Sequence, residues 1–207
     1  IVTILLAVPA GVLAAWRAGT WIDRAVMSLA VLGFSFPVFV IAYILIFVFS
    51  IQLDLLPIQG YAPISEGLGP FLAHLVLPSF ALGLSFMALI ARITRASVLE
   101  VLSQDHIRTV KAKGLSARAL LFDHALPNAA VPILTIVGVG VAILLGGVVV
   151  TESVFAIPGM GRLVVDAILH RDYPVIQGVL LIFSAVYVFV NLAVDLLYVV
   201  FDPRIRY

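Results

Sequence analysis

Between Arg92 and Pro127 the chain interleaves Arg92, Arg95, Arg108, Lys111, Lys113 and Arg118 with apolar residues. Cations at that density can bind carboxylates, backbone carbonyls or phosphates, or can mark the side of a membrane on which a loop stays. Asn191 and Asp195 sit one helical turn apart in an otherwise apolar stretch, and an ionisable group at such a place is a candidate for ion coupling or buried pairing. Glu152, Asp166, His170 and Asp172 could suggest a metal site, but only Asp166 and His170 share a helical face, and the irregular spacing reads as a solvated surface. Gly159-Met160-Gly161 has no strand before it and no lysine after it, so it reads as a turn and not a phosphate loop. No Ser, His and Asp trio, HExxH motif or intramembrane aspartate pair sustains an enzyme reading. The absence of cysteine removes disulfide and thiolate chemistry.

The elements that must position these residues follow from composition. The 207 residues are 63% hydrophobic and 11% charged, against about 45–50% and about 25% in an ordinary soluble domain. A soluble fold of this size cannot hide so much apolar surface, and the charges crowd into short stretches between long uncharged ones, as expected of a chain solvated by a lipid bilayer. A net charge of +1 gives no case for nucleic acid.

A membrane-crossing helix needs about 20 mostly apolar residues. Such stretches predict spans over about 25–51, 75–98, 129–151 and 175–201, and the shorter apolar run 1–16 reads as a fifth span cut short where this chain begins. The runs are continuous rather than alternating, which favours helices over barrel strands. The expected fold is therefore all-α, a polytopic bundle forming one membrane domain over residues 1–207. Arg17, Arg24, Arg92, Arg95, Arg108, Lys111, Lys113, Arg118, Arg204 and Arg206 fall on one side of it, and Arg162 and Arg171 on the other. That bias places the N-terminus outside, with the 100–127 loop and the C-terminus cytoplasmic. Pro9, Pro37, Pro78 and Pro132 lie within or near the ends of spans, where each is expected to kink its helix, either as ordinary bends or as joints of a pathway.

Within the cytoplasmic loop, Ser103 or Asp105 is expected to cap a helix with Ile107 and Val110 on one face and Arg108 and Lys111 on another. Gly114 suits the left-handed position that ends it, and Ser116 caps a second helix running through Ala119, Leu120, Leu121 and His124 to Leu126 and Pro127. Such a pair is either a solvated or lipid-surface loop or a docking element for a soluble partner, and spacing alone leaves both open. Asp195 lies about 12 Å from the inner end of the last span at 1.5 Å per residue. It either pairs structurally or carries a coupling ion in a secondary transporter.

Gly114, nine residues, His124, one residue, then Leu126-Pro127 resembles the cytoplasmic signature of importer-type ABC transporter permeases: EAA, three residues, Gly, nine residues, I, one residue, LP. Arg108-Thr109-Val110 stands in place of the first triad and His124 in place of the isoleucine. The stretch from Asp105 to Leu115 is instead similar to the version found in dipeptide, oligopeptide and nickel permeases. Thr151 to Phe155, Pro158 to Leu163, and the end from Asp202 to Tyr207 resemble the same subgroup. The resemblance implies a permease subunit of a bacterial or archaeal cytoplasmic-membrane importer, with a second permease subunit, two ATP-binding cassette ATPase subunits and an extracytoplasmic substrate-binding protein as partners. It further implies that ATP and magnesium are held by the ATPases and no cofactor by this chain, and that Asp105, Arg108, Thr109, Lys111, Lys113, Gly114, His124, Leu126 and Pro127 belong to an ATPase-coupling loop. Members usually carry a further span and a sizeable outer region before the point corresponding to Ile1, so this chain is expected to be incomplete at its N-terminus.

Overall fold

The computed structural model describes residues 1–201; the C-terminal block Asp202 to Tyr207, with the cytoplasmic placement of Arg204 and Arg206, lies outside them. Among the described residues every regular element is a helix, with no strand. Helices α1 (Val2–Trp16), α2 (Trp21–Ser35) and α3 (Val38–Leu45, continued by a π-helical turn Ile46–Gln52) lead to the 36-residue α4 (Leu68–Ser103). The short segments α5 (Asp105–Ala112), α6 (Ala117–Ala119) and α7 (Leu126–Asn128) follow, and α8 (Ala130–Val154), α9 (Met160–His170) and α10 (Tyr173–Phe201) complete the described residues. Among the described residues, α4, α8 and α10 are each long and apolar enough to cross a membrane, and α2 with α3 makes a fourth crossing if the pair is one broken span; α1, at 15 residues, is shorter.

The single helix expected over 25–51 is instead two helices that turn by 105° between Ser35 and Val38. Pro37 supplies the cause. Its ring crowds the residue before it out of helical geometry, and Phe36 is accordingly extended at φ −93°, ψ 135°. Pro9 and Pro78 lie inside continuous helices, and Pro132 falls in the first turn of α8, where no intrahelical N–H is lost.

Helix α4, about 54 Å long at 1.5 Å per residue, is the beam on which the other elements assemble. Near its start Leu77 and Ala81 pack with Ile41, Ala42 and Ile46 of α3 and with Phe155. At its middle Ala88, Ile90 and Ala91 pack with Ala7 of α1 and Ala30 of α2. Near its end Val98 and Val101 pack with Val12 and Ala15 of α1 and with the segments between α4 and α8. The middle layer is built from small residues, which let helix backbones approach closely where lipid provides no hydrophobic drive between helices. Gly11 marks the limit of that approach: a Cβ there would lie 2.6 Å from the Ala91 carbonyl oxygen and 2.7 Å from Thr94 Cβ. On the outward side α10 exposes Leu181, Phe189 and Val200 at 70%, 69% and 72%, the apolar surface that a helix offers to lipid.

Candidate functional site

The segment between α4 and α8 is a helix, a glycine turn and a second helical stretch, rooted in the bundle on one face. Helix α5 begins at Asp105, but neither expected residue caps it. Ser103 stays with α4, donating its hydroxyl to the Glu100 carbonyl at 2.7 Å. Gln104 occupies the N-cap position with extended backbone and no side-chain cap bond, and its carbonyl accepts from Ile107 and Arg108 N–H at 3.1 and 3.3 Å. Asp105 sits one residue inside, where a carboxylate complements the helix dipole, and it also accepts from Arg108 Nη1 at 3.3 Å. Thr109 donates its hydroxyl to the Asp105 carbonyl at 3.0 Å.

The apolar face is as the spacing predicts. Ile107 is 2% exposed against Val98, Val101, Leu120 and Leu121, with Val110 packed at the edge of that cluster. Lys113 ends α5 and Gly114 follows in the left-handed region at φ +80°, donating its N–H to the Lys111 carbonyl at 3.1 Å. Nothing lies within 4 Å of where a Gly114 Cβ would be, so the glycine is required by backbone conformation and not by crowding. Ser116 Oγ accepts from Ala119 N–H at 3.3 Å and caps the second helix. That helix passes through a π-helical turn, Leu120–Ala125, before α7. The wider turn buries Leu120, Leu121 and Ala125 together. Half-buried His124 accepts Asn128 Nδ2 on its carbonyl at 2.7 Å, Leu126 packs at the cluster edge, and Pro127 faces outward.

The opposite face is polar and open. The Arg108 side chain is 75% exposed, and Lys111, Lys113 and Arg118 are exposed with it. Arg108 and Lys111 form one wall of a cleft of about 620 Å³ whose apolar side includes Trp16, Leu102, Leu115 and Ala117. A cationic rim over an apolar floor suits an acidic, partly apolar protein surface.

Asn191 and Asp195 are not brought into contact. Asn191 Nδ2 donates to the Tyr187 carbonyl at 3.0 Å within α10, and Asp195 is exposed and pairs with none of the described residues. The face of α10 turned to α8 is carried by Val194, which meets Gly138, and by Tyr198, whose hydroxyl lies 2.7 Å from Thr135 Oγ1.

Glu152, Asp166 and Asp172 each have a local partner. The Glu152 carboxylate accepts the Arg162 N–H at 2.8 Å and so caps α9 from a different helix. Asp166 lies 4.0 Å from Arg162, and its carbonyl contacts His170 Nδ1 at 2.8 Å. Asp172 accepts from Val175 N–H at 3.3 Å. Gln59 Nε2 and Gly60 N–H donate to the carbonyls of Val154 and Phe155 at 2.7 and 2.8 Å, pinning the 53–62 segment over the same corner. Glu152→Ala is expected to cost about 1 kcal/mol of local stability, the usual loss when a capping acceptor is removed. The check is amide hydrogen exchange, which should accelerate in residues 159–164 and stay unchanged in α4.

One pair was invisible to sequence reasoning. Arg95 of α4 grips Asp23 of α2 with two hydrogen bonds, Nε to Oδ1 at 2.6 Å and Nη2 to Oδ2 at 2.7 Å. In the sequence these residues are one acid beside Arg24 and one of many cations, and no local spacing joins positions 72 apart.

The chain matches the pattern of the binding-protein-dependent transport system inner membrane component family over residues 7–207. It is 56% identical over 207 residues to the probable peptide ABC transporter permease protein y4tP of Sinorhizobium fredii, covering 100% of this chain and 66% of that protein. It is 42% identical over 227 residues to the dipeptide transport system permease protein DppB of Alkalihalophilus pseudofirmus, covering 100% and 68%. Identity to the glutathione transport system permease protein GsiC of Escherichia coli is 44% over 205 residues, covering 99% and 64%. The chain thus spans about two thirds of the length of these curated relatives.

Proposed function

Because the chain belongs to the binding-protein-dependent transport system inner membrane component family, we propose that it is the membrane-spanning part of a permease subunit in an ATP-driven importer of di- or oligopeptides. The observation that carries the reading is the cytoplasmic loop, whose apolar face is fastened to α1 and α4 while its cations face outward. The names of the relatives, peptide, dipeptide and glutathione permeases, support a peptide-class cargo over nickel.

In this reading five spans cross the cytoplasmic membrane, α1 and the α2–α3 pair among them, with the N-terminal end of this segment outside and the C-terminus cytoplasmic. A second permease subunit completes the pathway and a binding protein delivers cargo from outside. Two ATPase subunits, which hold ATP and magnesium, receive the 105–127 loop of each permease. Arg108, Lys111 and Lys113 meet acidic or carbonyl groups of the ATPase, Gly114 makes the turn between the inserted helices, and Leu126-Pro127 leads the chain back toward α8. This chain's own contribution is mechanical: closure of the ATPases moves the loop, and the loop moves α4 and α1 because its core is theirs.

The test is reconstitution of the complete permease pair with its ATPases in vesicles, with peptide-loaded binding protein supplied outside. ATP hydrolysis and peptide uptake should both rise on addition of the loaded binding protein. Asp195→Asn separates this reading from an ion-coupled carrier: it is expected to leave ATP-driven uptake within about twofold of the unmodified complex, whereas a carrier that moves its coupling ion through Asp195 would stop. Uptake that ignores ATP and collapses with the ion gradient would overturn the proposal.

A further inference from the structure

The Asp23 carboxylate is almost sealed from solvent, its side chain 6% exposed, while Arg95 is 30% exposed. Three N–H donors converge on it. Two come from the Arg95 guanidinium and the third is the Gly19 backbone N–H, at 2.9 Å from Oδ2. Asp23 is the third residue of α2, a position from which an acidic side chain commonly reaches back over the helix start. Here it reaches back to the 17–20 turn and sideways to α4 at once, so one carboxylate ties the exit of α1, the entry of α2 and the cytoplasmic third of α4. A planar guanidinium held through two parallel bonds fixes orientation as well as distance.

The position of this tie gives it a consequence. Val98 and Val101, one and two turns farther along α4 than Arg95, are the residues on which Ile107, Leu120 and Leu121 of the cytoplasmic loop pack. Trp16, at the end of α1 just before the tied turn, borders the same cluster. On the other side of the tie, α2 runs to the 105° bend at Phe36–Pro37, with Ala30 and Gly33 seated closely on α4. A force applied to the loop therefore meets the Asp23–Arg95 pair before it reaches the bend. We infer that Asp23 and Arg95 are positioning residues for coupling, a rigid joint through which movement of the cytoplasmic loop turns α2 and the bend beyond it; the inference rests on the importer reading above.

A buried pair of this kind could also serve only to hold the fold, so the decisive quantity is peptide taken up per ATP hydrolysed by whatever complex assembles, which a purely structural role would not change. The experiment uses the complete permease pair, ATPases and loaded binding protein in vesicles. Asp23→Asn keeps the shape and removes the charge, Arg95→Lys keeps the charge and removes the two-bond grip, and the exchanged double variant Asp23→Arg/Arg95→Asp restores opposite charges in reversed order. Asp23→Asn and Arg95→Lys are each expected to co-purify with the ATPases and to lower uptake per ATP at least about fivefold, the lower range of coupling between sites. The exchanged variant is expected to recover part of that loss. Unchanged uptake per ATP in the two single variants overturns the inference, whether complex yield is normal or reduced, and so does failure of every variant to assemble. Failure of the importer reading shows separately and first, as an unmodified complex that neither retains ATPases nor answers to the loaded binding protein.

Discussion

Gly114→Pro is expected to abolish association of the ATPase subunits while leaving membrane insertion intact. Gly114 has φ +80°, and proline is locked near −65°, so the turn cannot form around the substituted residue. Proline also lacks the N–H that Gly114 donates to the Lys111 carbonyl. Nothing crowds the site, so Gly114→Ala isolates the conformational effect and should cost only about 1–2 kcal/mol, the penalty of a left-handed backbone for an ordinary residue. Alanine is thus expected to weaken ATPase binding and proline to remove it. The paired reversal Arg108→Glu/Lys111→Glu reaches the same end by another route, leaving the turn in place and presenting like charge to an acidic partner. Co-purification of ATPases on a tagged permease should fall by more than about tenfold, equivalent to at least about 1.4 kcal/mol. Undiminished co-purification with both the proline and the paired glutamate variants would remove the loop from the docking role.

How much of this was legible in the sequence depends on how far each interaction reaches along the chain. The shared face of Ile107 and Val110, the capping by Ser116 and the left-handed Gly114 all depend on residues within a few positions, and each was readable from spacing. The start of α5 was not, because Ser103, Gln104 and Asp105 are all compatible with a helix boundary, and Ser103 is taken up by the Glu100 carbonyl of the preceding helix. The π-helical turn at Leu120–Ala125 leaves no mark in an apolar pattern that suits an α-helix equally well. Pro37 was visible as a disruption, but a proline in an apolar run signals a bend without its size. The 105° turn follows from how α3 packs on Leu77 and Ala81 of α4. The Asp23–Arg95 pair lay farthest out of reach, because it exists only once α2 and α4 are side by side.

The same contrast between local pattern and tertiary packing sets the second large effect, at Ile107. This residue is the central apolar anchor of α5, 2% exposed among Val98, Val101, Leu120 and Leu121, and α5 has only eight residues. A helix that short does not persist in water on its own propensity, so its order is borrowed from the cluster. Ile107→Val removes one methyl and should cost about 0.5–1.5 kcal/mol, Ile107→Ala about 2–5 kcal/mol. Ile107→Asp places a carboxylate where nothing compensates it, at a penalty of several kcal/mol that the segment avoids by leaving the cluster. The new carboxylate could meet Lys111 four residues on, but only by rotating α5 out of its seat, which is the same displacement. The expected result is a graded loss of amide protection over residues 105–112 from valine through alanine to aspartate. Peptide uptake should stay close to unmodified for valine and fall at least about tenfold for aspartate, since a loop detached from Val98 and Val101 no longer carries motion to α4. This series separates anchoring from docking, because Arg108, Lys111 and Gly114 are untouched in all three variants. Unmodified exchange rates in the aspartate variant would show that the 105–127 loop holds its shape without the seat of Ile107 on α4, and that packing contact would then not be the mechanical link from loop to spans.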